Sequence, residues 1–453
     1  MKKIYVMLAA MLLMSFMACS SSGGGDGSAA SSAKEVTAFS LGGVVGTIDE
    51  VGKTITITMP YGTDVTALTP LITVTGASVN PASGDPQDFS APVDYTVTAD
   101  DGSTEVYTVT VLLQAGSLPK TGQTTDYAAG DDGDLEMGVT WPDPRFTDNG
   151  DGTISDNLTG LMWTQDGNAP GPLACTNGVV KTWAEAFDHV ECLNTNSYLG
   201  YNDWRLPNRK ELKSLVNYGQ SIPATWLNNA SQGFSNVQSN LYWSSSTCAD
   251  AAPANAWYIN MSSGVVSNAN KGSFYYVWPV RDGQFRVVDL PQTGQTADYT
   301  TGDDGDLQEG VAWPGTRFTN NSDGTISDNL TGLMWTQNGN APGPPGCATG
   351  GELNTPDALT YIACLNTNSY LGYDDWRLPN VSELESLLHY GQSNPSTWLN
   401  TQGFSAQNDW YRSSTTNASN TSQAWVVMMG NGNVFMDGLK AGTDRVWPVR
   451  GGQ

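Results

Sequence analysis

The stretch from Leu118 to Gln284 is written twice, returning as Leu290 to Gln453 at an offset of 172 residues over its first two-thirds. Asp151 to Gln165 recurs letter for letter as Asp323 to Gln337, and Cys192 to Tyr201 recurs as Cys364 to Tyr373. Two copies at so long a period describe a duplicated globular domain, because solenoid units run roughly 20–50 residues. The duplication also acts as a filter: chemistry that both copies perform must use residues present in both.

Upstream of the copies, Lys2 and Lys3 precede an apolar run, Ile4 to Ala18, that is short for a membrane span. Ser15-Phe16-Met17-Ala18-Cys19 resembles a bacterial lipoprotein signal, in which the thiol is diacylglycerylated and the chain is cut before it. The resemblance implies a signal peptide over residues 1–18, a lipid on Cys19 and a Gly/Ser tether over residues 19–34. Several acyl chains, at about 0.8 kcal/mol per buried CH₂, would anchor the chain to a membrane for good. Ser20, where an inner-membrane lipoprotein often carries Asp, favours the outer membrane and the cell surface.

The formal net charge of −25 argues against a nucleic-acid partner. Charged residues make up 14% of the chain while Gly numbers 50 and Trp 15, a mixture that points to an extracellular, loop-rich protein with aromatic cores. Cys175 and Cys192 lie 17 apart, as do Cys347 and Cys364 at matching places, which in an exported chain predicts one disulfide per copy. Each bridge would be worth on the order of 3 kcal/mol. Cys248, aligned with Thr416, is expected to be a buried thiol.

Residues 35–114 have a different texture. Lys53–Met59, Tyr95–Ala99 and Thr104–Leu112 alternate with period two, and Asp100–Ser103 supplies a turn between the last two. Short strands punctuated by Pro predict a β-sandwich, and Pro60–Asp64 with Tyr95–Thr104 resembles bacterial immunoglobulin-like spacer domains. Each copy then opens on Leu-Pro-x-Thr-Gly, at Leu118 and at Leu290, which reads as a linker turn rather than a sorting signal. Within the first copy, Arg145–Asp156 predicts a hairpin and Thr182–Cys192 a helix burying Trp183, Phe187 and Val190. A second helix starts after Pro207, with Asn208 as N-cap, Glu211 closing a capping box, and Leu212, Leu215 and Val216 facing inward. The second copy repeats this device with Asn380, Glu383, Leu384, Leu387 and Leu388. Helices leading into short strands predict two α+β domains, over residues 118–285 and 290–453.

Trp183–Ala186, Gly200–Asn208, Tyr242–Ser246 and Val277–Arg281, with their second-copy counterparts Gly372–Asn380, Trp410–Ser414 and Val446–Arg450, resemble the C-terminal domain family of the Legionella collagen-like adhesin. The resemblance implies a C-type-lectin-like fold and, from the founding adhesin, binding of sulfated glycans. Two departures stand out: this chain is acidic, and the second copy is read as carrying Tyr411 for Trp243 and Arg412 for Ser244.

The filter removes both histidines, since His189 aligns with Tyr361 and His389 with Asn217. No general base or nucleophilic arrangement is shared, so the expectation is a non-enzymatic protein. Asp131, Asp132 and Asp134 recur as Asp303, Asp304 and Asp306 in Gly-rich runs. Two readings stand for them, solvated turns or a calcium site. The tryptophans are divided between core and a sugar-stacking surface. Asp203-Trp204-Arg205, recurring as Asp375-Trp376-Arg377, is read as structural: the arginine pairs within its own repeat, so Arg205→Ala would unfold the first domain more easily and spare the second. Together these features describe a lipid-anchored outer-membrane protein with an immunoglobulin-like β-sandwich and two lectin-like domains. It would bind a glycan or protein at the cell surface; the alternative is a structural component of the envelope.

Overall fold

The computed structural model describes residues 30–59, 65–113, 118–249, 254–283, 287–347 and 350–451. Cys19 and the signal lie outside these. The described residues form two compact units, one up to Leu112 and the other from Leu118 onward.

The first unit holds β1 (Val36–Leu41), β2 (Val44–Val45), β3 (Thr47–Asp49), β4 (Thr54–Met59), β5 (Pro70–Val74), β6 (Ser78–Asn80), β7 (Val93–Thr98) and β8 (Thr104–Leu113). They form two sheets, in the orders β2-β1-β5 and β3-β4-β8-β7-β6. Period-two alternation does the sorting: Ile55, Ile57, Tyr95, Val97, Tyr107 and Val109 are buried while Thr56, Thr96 and Thr108 between them are not. Phe39 of one sheet meets Tyr95 of the other with ring centroids 5.6 Å apart, so the two sheets close on one core.

In the second unit the first copy contributes α1 (Asp132–Leu135), β9 (Phe146–Asp148), β10 (Thr153–Asp156), β11 (Leu161–Thr164), α2 (Trp183–Thr195), α3 (Arg209–Ser214), α4 (Pro223–Leu227), β12 (Leu241–Thr247), β13 (Asn255–Asn260), β14 (Val266–Asn270) and β15 (Val280–Asp282). The second copy contributes α5 (Asp304–Leu307), β16 (Phe318–Asn320), β17 (Thr325–Asp328), β18 (Leu333–Thr336), β19 (Glu352–Leu353), α6 (Thr355–Thr367), α7 (Val381–Ser386), α8 (Pro395–Thr401), β20 (Trp410–Thr416), β21 (Gln423–Met428), β22 (Val434–Leu439), β23 (Asp444–Arg445) and β24 (Val449–Gly451). The helices are few and short, so the fold is mostly β rather than evenly α+β. Capping boxes start α3 and α7 at Asn208 and Asn380, and another, Thr182 with Glu185, starts α2. Each copy has a small sheet, β15-β11-β10-β9 or β16-β17-β18-β24, floored by a Trp pair: Trp163 with Trp278 at 5.6 Å, Trp335 with Trp447 at 5.7 Å.

The two copies are not separate domains. One eight-stranded sheet, β12-β13-β14-β22-β21-β20-β23-β19, crosses from one to the other where Val266 of β14 pairs Val434 of β22. Each copy alone would leave that strand edge open, and the duplicate closes it. A single core cluster holds Leu212, Leu215, Trp257 and Val266 together with Leu384, Leu387, Trp425 and Val434. The opening segments are exchanged as well. Gln123 of the first copy brackets the Thr416 backbone of the second, at 2.7 and 2.9 Å, and Gln295 brackets Thr247 at 2.8 and 2.9 Å. The Leu-Pro-x-Thr-Gly segments are therefore parts of the joint rather than linkers. Gly122 (φ +87°) has no room for a side chain, since a Cβ would sit 2.5 Å from Asn217 Oδ1 and 2.6 Å from Trp141.

Strand pairing corrects the alignment of one block. Tyr242 and Tyr411 each accept from a backbone N–H four residues upstream, Gln238 and Gln407. This matches Trp243 with Arg412, Ser244 with Ser413, and Cys248 with Asn417. Arg412 fills the tryptophan's place, fully buried and paired with Asp444.

Candidate functional site

His189 is built into the core and His389 is half-buried. The ring nitrogens of His189, 3% exposed, lie 2.9 and 3.0 Å from the Cys175 and Pro170 carbonyls, and burial holds its pKa below the usual value, so the neutral ring donates to one of the two. In the second copy the Tyr361 hydroxyl donates to Pro342 O in its stead. His389 lies 4.8 Å from the rings of both Trp313 and Trp398, and burial followed by the Arg317 charge pushes its pKa down to about 4. The structure joins Cys175 to Cys192 and Cys347 to Cys364, with Cα atoms 5.6 and 5.8 Å apart, while Cys248 is buried outside both bridges.

The Asp-Trp-Arg block divides its labour. Asp203 accepts from Arg281 at 2.6 and 2.8 Å, and Asp375 from Arg450 at 2.6 and 2.9 Å. Trp204 and Trp376, each 2% exposed, donate to the Tyr198 and Tyr370 carbonyls at 2.9 Å. Arg205 makes a two-pronged pair with Glu211, 2.7 Å on each side, and reaches Asp282 at 2.8 Å. Arg377 pairs the same way with Glu383, at 2.6 and 2.5 Å. Glu211 and Glu383 are also the capping-box acids of α3 and α7, so one carboxylate ties the helix start to the preceding loop. That second duty was open to sequence reasoning, because the six-residue Arg–Glu spacing recurs in both copies. Arg205 has a further contact across the joint, Nε to Glu309 of the second copy at 3.6 Å. With one shared core, loss of Arg205 would be felt by the whole unit and not by the first copy alone.

The acidic runs do not converge on a cation. Asp131 caps α1, accepting from Tyr127 and Asp134 N–H at 3.0 Å, and Asp134 accepts from Gly130 N–H at 2.7 Å. Asp303 and Asp306 repeat these roles on α5. Asp132 and Asp304 turn the other way, into the joint: Asp132 accepts from Thr121 and from Thr415 of the second copy, both at 2.7 Å, while Asp304 accepts from Thr293 at 2.8 Å and from Ser246 of the first copy. Among the described residues no group of three His, Cys, Asp or Glu could hold a metal ion. The six carboxylates serve capping and cross-joint bonding: Asp131, Asp132, Asp303 and Asp304 are buried, while Asp134 and Asp306 stay exposed, as solvated turns would have them.

None of the 15 tryptophans is exposed; each is buried or half-buried. Exposed apolar surface gathers instead around the first copy's disulfide loop. Leu173 is 93% exposed and Phe274 59%, with Val179 and Val180 beside them. Val179, Val180 and Phe274 border a pocket of about 360 Å³ backed by Cys175, Lys181, His189 and Cys192, with the exposed Glu185 and Asp188 also lining it. Val180 and Phe274 flank the antiparallel bridge between Lys181 and Tyr275, and both line the pocket. The second copy has Pro345, Gly351, Glu352 and Thr443 at the corresponding places, so this face belongs to one copy only.

The Lcl C-terminal domain model matches residues 152–281 and again 324–450. The chain belongs to the Lcl C-terminal domain family. Its two Lcl spans begin at Gly152 and Gly324, so the exchanged segments, with Gln123, Asp132, Gln295 and Asp304, precede the matched regions. The first unit matches a second family, SGBP N-terminal, over residues 36–111. Among solved structures, a secreted protein of Bacteroides fragilis is 22% identical, covering 18% of this chain and 96% of that one with a TM-score of 0.15. A Bacteroides thetaiotaomicron protein named as a glycoside hydrolase is 13% identical, covering 58% of this chain and 87% of its own with a TM-score of 0.18. At these TM-scores neither likeness carries an argument about this chain. No curated protein matches it.

Proposed function

We propose that the protein is a non-enzymatic binding module of the bacterial surface, lipid-anchored through Cys19, whose ligand is a glycan held on the disulfide-braced face of the first Lcl copy. The observation that carries the reading is the exposed Val179, Val180 and Phe274 lining a pocket edged by polar groups, with the exposed Leu173 next in the chain to Ala174 of its wall. An exposed ring with apolar neighbours and flanking charged groups suits a sugar, which offers both C–H faces and hydroxyls. Support also comes from the first unit, whose SGBP match is to a family of glycan-binding proteins. The C-type-lectin-like character of each copy is part of this proposal and rests on the family resemblance. Two features speak for binding over catalysis: His189 and His389 are spent on packing, and the shared carboxylates on caps and arginines.

The test uses a soluble form in which Cys19→Ser prevents lipidation, checked by its release from the membrane fraction. On a glycan array this form is expected to select a defined set of sugars. Phe274→Ser with Leu173→Ser should weaken that binding at least tenfold without moving the unfolding midpoint by more than about 2 °C, since exposed substitutions stay within about 0.5 kcal/mol. An array with no selective signal, or one indifferent to both substitutions, would remove the glycan reading and leave the structural role in the envelope.

A further inference from the structure

The joint places a segment of each copy over the arginine of the other, and the two sites have diverged. Over Arg205 lies Glu309, with Asp282 alongside. The corresponding places around Arg377 are taken by Met137 and Gly451. Two acids have thus been exchanged for uncharged residues, in a chain whose net charge is −25. What remains is a groove of about 610 Å³ bounded by Leu135, Met137, Leu359, Ile362, Arg377 and Asp375, the last of these neutralised by Arg450. Arg377 is 8% exposed, its two terminal nitrogens are taken by Glu383 and Gly451 O, and its buried Nε–H has no partner among the described residues. In the first copy the corresponding nitrogen faces the Glu309 carboxylate at 3.6 Å.

We infer that this groove is a second ligand site, one that takes a carboxylate on a mainly apolar body in the position that Glu309 fills in the first copy. A buried donor on a fixed cation is costly to leave unmade and favours an anionic acceptor. The planar guanidinium, held by Glu383, would meet such a ligand already oriented. Met137, flexible and unbranched, lines the same groove and can adjust to such a ligand. The inference rests on the reading of the protein as a binding module, and extends it from one face to two. The carboxylate has two sources, a uronic acid unit of a glycan or a free organic acid.

Calorimetric titration of the full chain, made soluble by Cys19→Ser, with tri-galacturonate and separately with benzoate tests this. The expected result is one saturable site for at least one probe. Binding of tri-galacturonate alone assigns a glycan source, and binding of benzoate alone a free acid. Met137→Glu, which installs the first copy's own carboxylate, should abolish the site (a loss of at least tenfold) while leaving the fold intact. Glu309→Met should leave affinity within twofold. No binding of either probe, or binding that Met137→Glu does not weaken, overturns the site. If the groove is overturned in either of these ways while a neutral sugar still binds the Phe274 face, only this inference, and not the binding function, has failed.

Discussion

Glu385→Ala is expected to lower the stability of the whole tandem unit by about 3–5 kcal/mol, seen as one shifted transition in thermal or urea unfolding. Glu385 and Lys213 occupy the same position in the two copies, and the joint sets them against each other as a direct ion pair. The same carboxylate accepts from Arg209 at 3.1 Å and from the Tyr390 hydroxyl at 2.9 Å. All three charged side chains are shielded: Arg209 is 0% exposed, Lys213 10% and Glu385 5%. Arg209 also lies 3.9 Å from the rings of both Trp257, in its own copy, and Tyr390, in the other. Removing the carboxylate strands two buried cations, and the cost falls on both copies because the contact belongs to both. Replacing Arg209, Lys213 and Glu385 together by Met should cost far less, since no charge is then left unpaired. A loss below about 1 kcal/mol for Glu385→Ala, or one confined to the second of two transitions, would show that the joint is peripheral.

Acidification from pH 7 to pH 5 is expected to tighten the joint. Asp132 and Asp304 are fully enclosed, and burial pushes each carboxyl up to about 7 from its ordinary 3.8. The folded chain therefore holds protons that the unfolded chain has released between those values. The stabilisation is present in full below the unfolded value and is lost as pH rises through the folded one, up to about 4 kcal/mol for each carboxyl. His389 works the other way between about 4 and 6.5, because it is held neutral in the fold. The informative quantity is accordingly a difference between two unfolding curves. Asp132→Asn with Asp304→Asn should flatten the pH dependence relative to the parent chain between pH 5 and pH 7. An unchanged slope would place the titration elsewhere.

Much of the architecture was legible in the sequence because it is local. Alternation marked β4, β7 and β8, and Asn208 with Glu211 marked the start of α3 before any partner was known. The joint was not legible for a physical reason: a buried position in a duplicated chain does not declare which copy buries it. Leu212 and Leu384 read as the inner faces of two domains, and they line one core. Asp132 misled in the opposite direction, since an aspartate in a Gly-Asp-Asp-Gly-Asp run looks solvated until its acceptor role across the joint is seen. One signal was present and could have been used. Lys213 and Glu385, at equal positions with opposite charge, are what a symmetric contact between copies requires once both copies sit on one chain, because two identical charges there would repel. The difference between Glu309 and Met137 is readable in the same way, once the opening segments are known to cross.

Expression of the halves as separate chains, 118–285 and 290–453, tests the interlocked unit most directly. Each half alone would present an unpaired β14 or β22 edge and lack the segment that completes it. Pairing of like halves would set Lys213 against Lys213 or Glu385 against Glu385. The account predicts that neither half unfolds cooperatively by itself, and that mixing restores a one-to-one complex with a single calorimetric transition. Two halves that each fold as stable monomers, and a joined chain that melts in two independent steps, would contradict it.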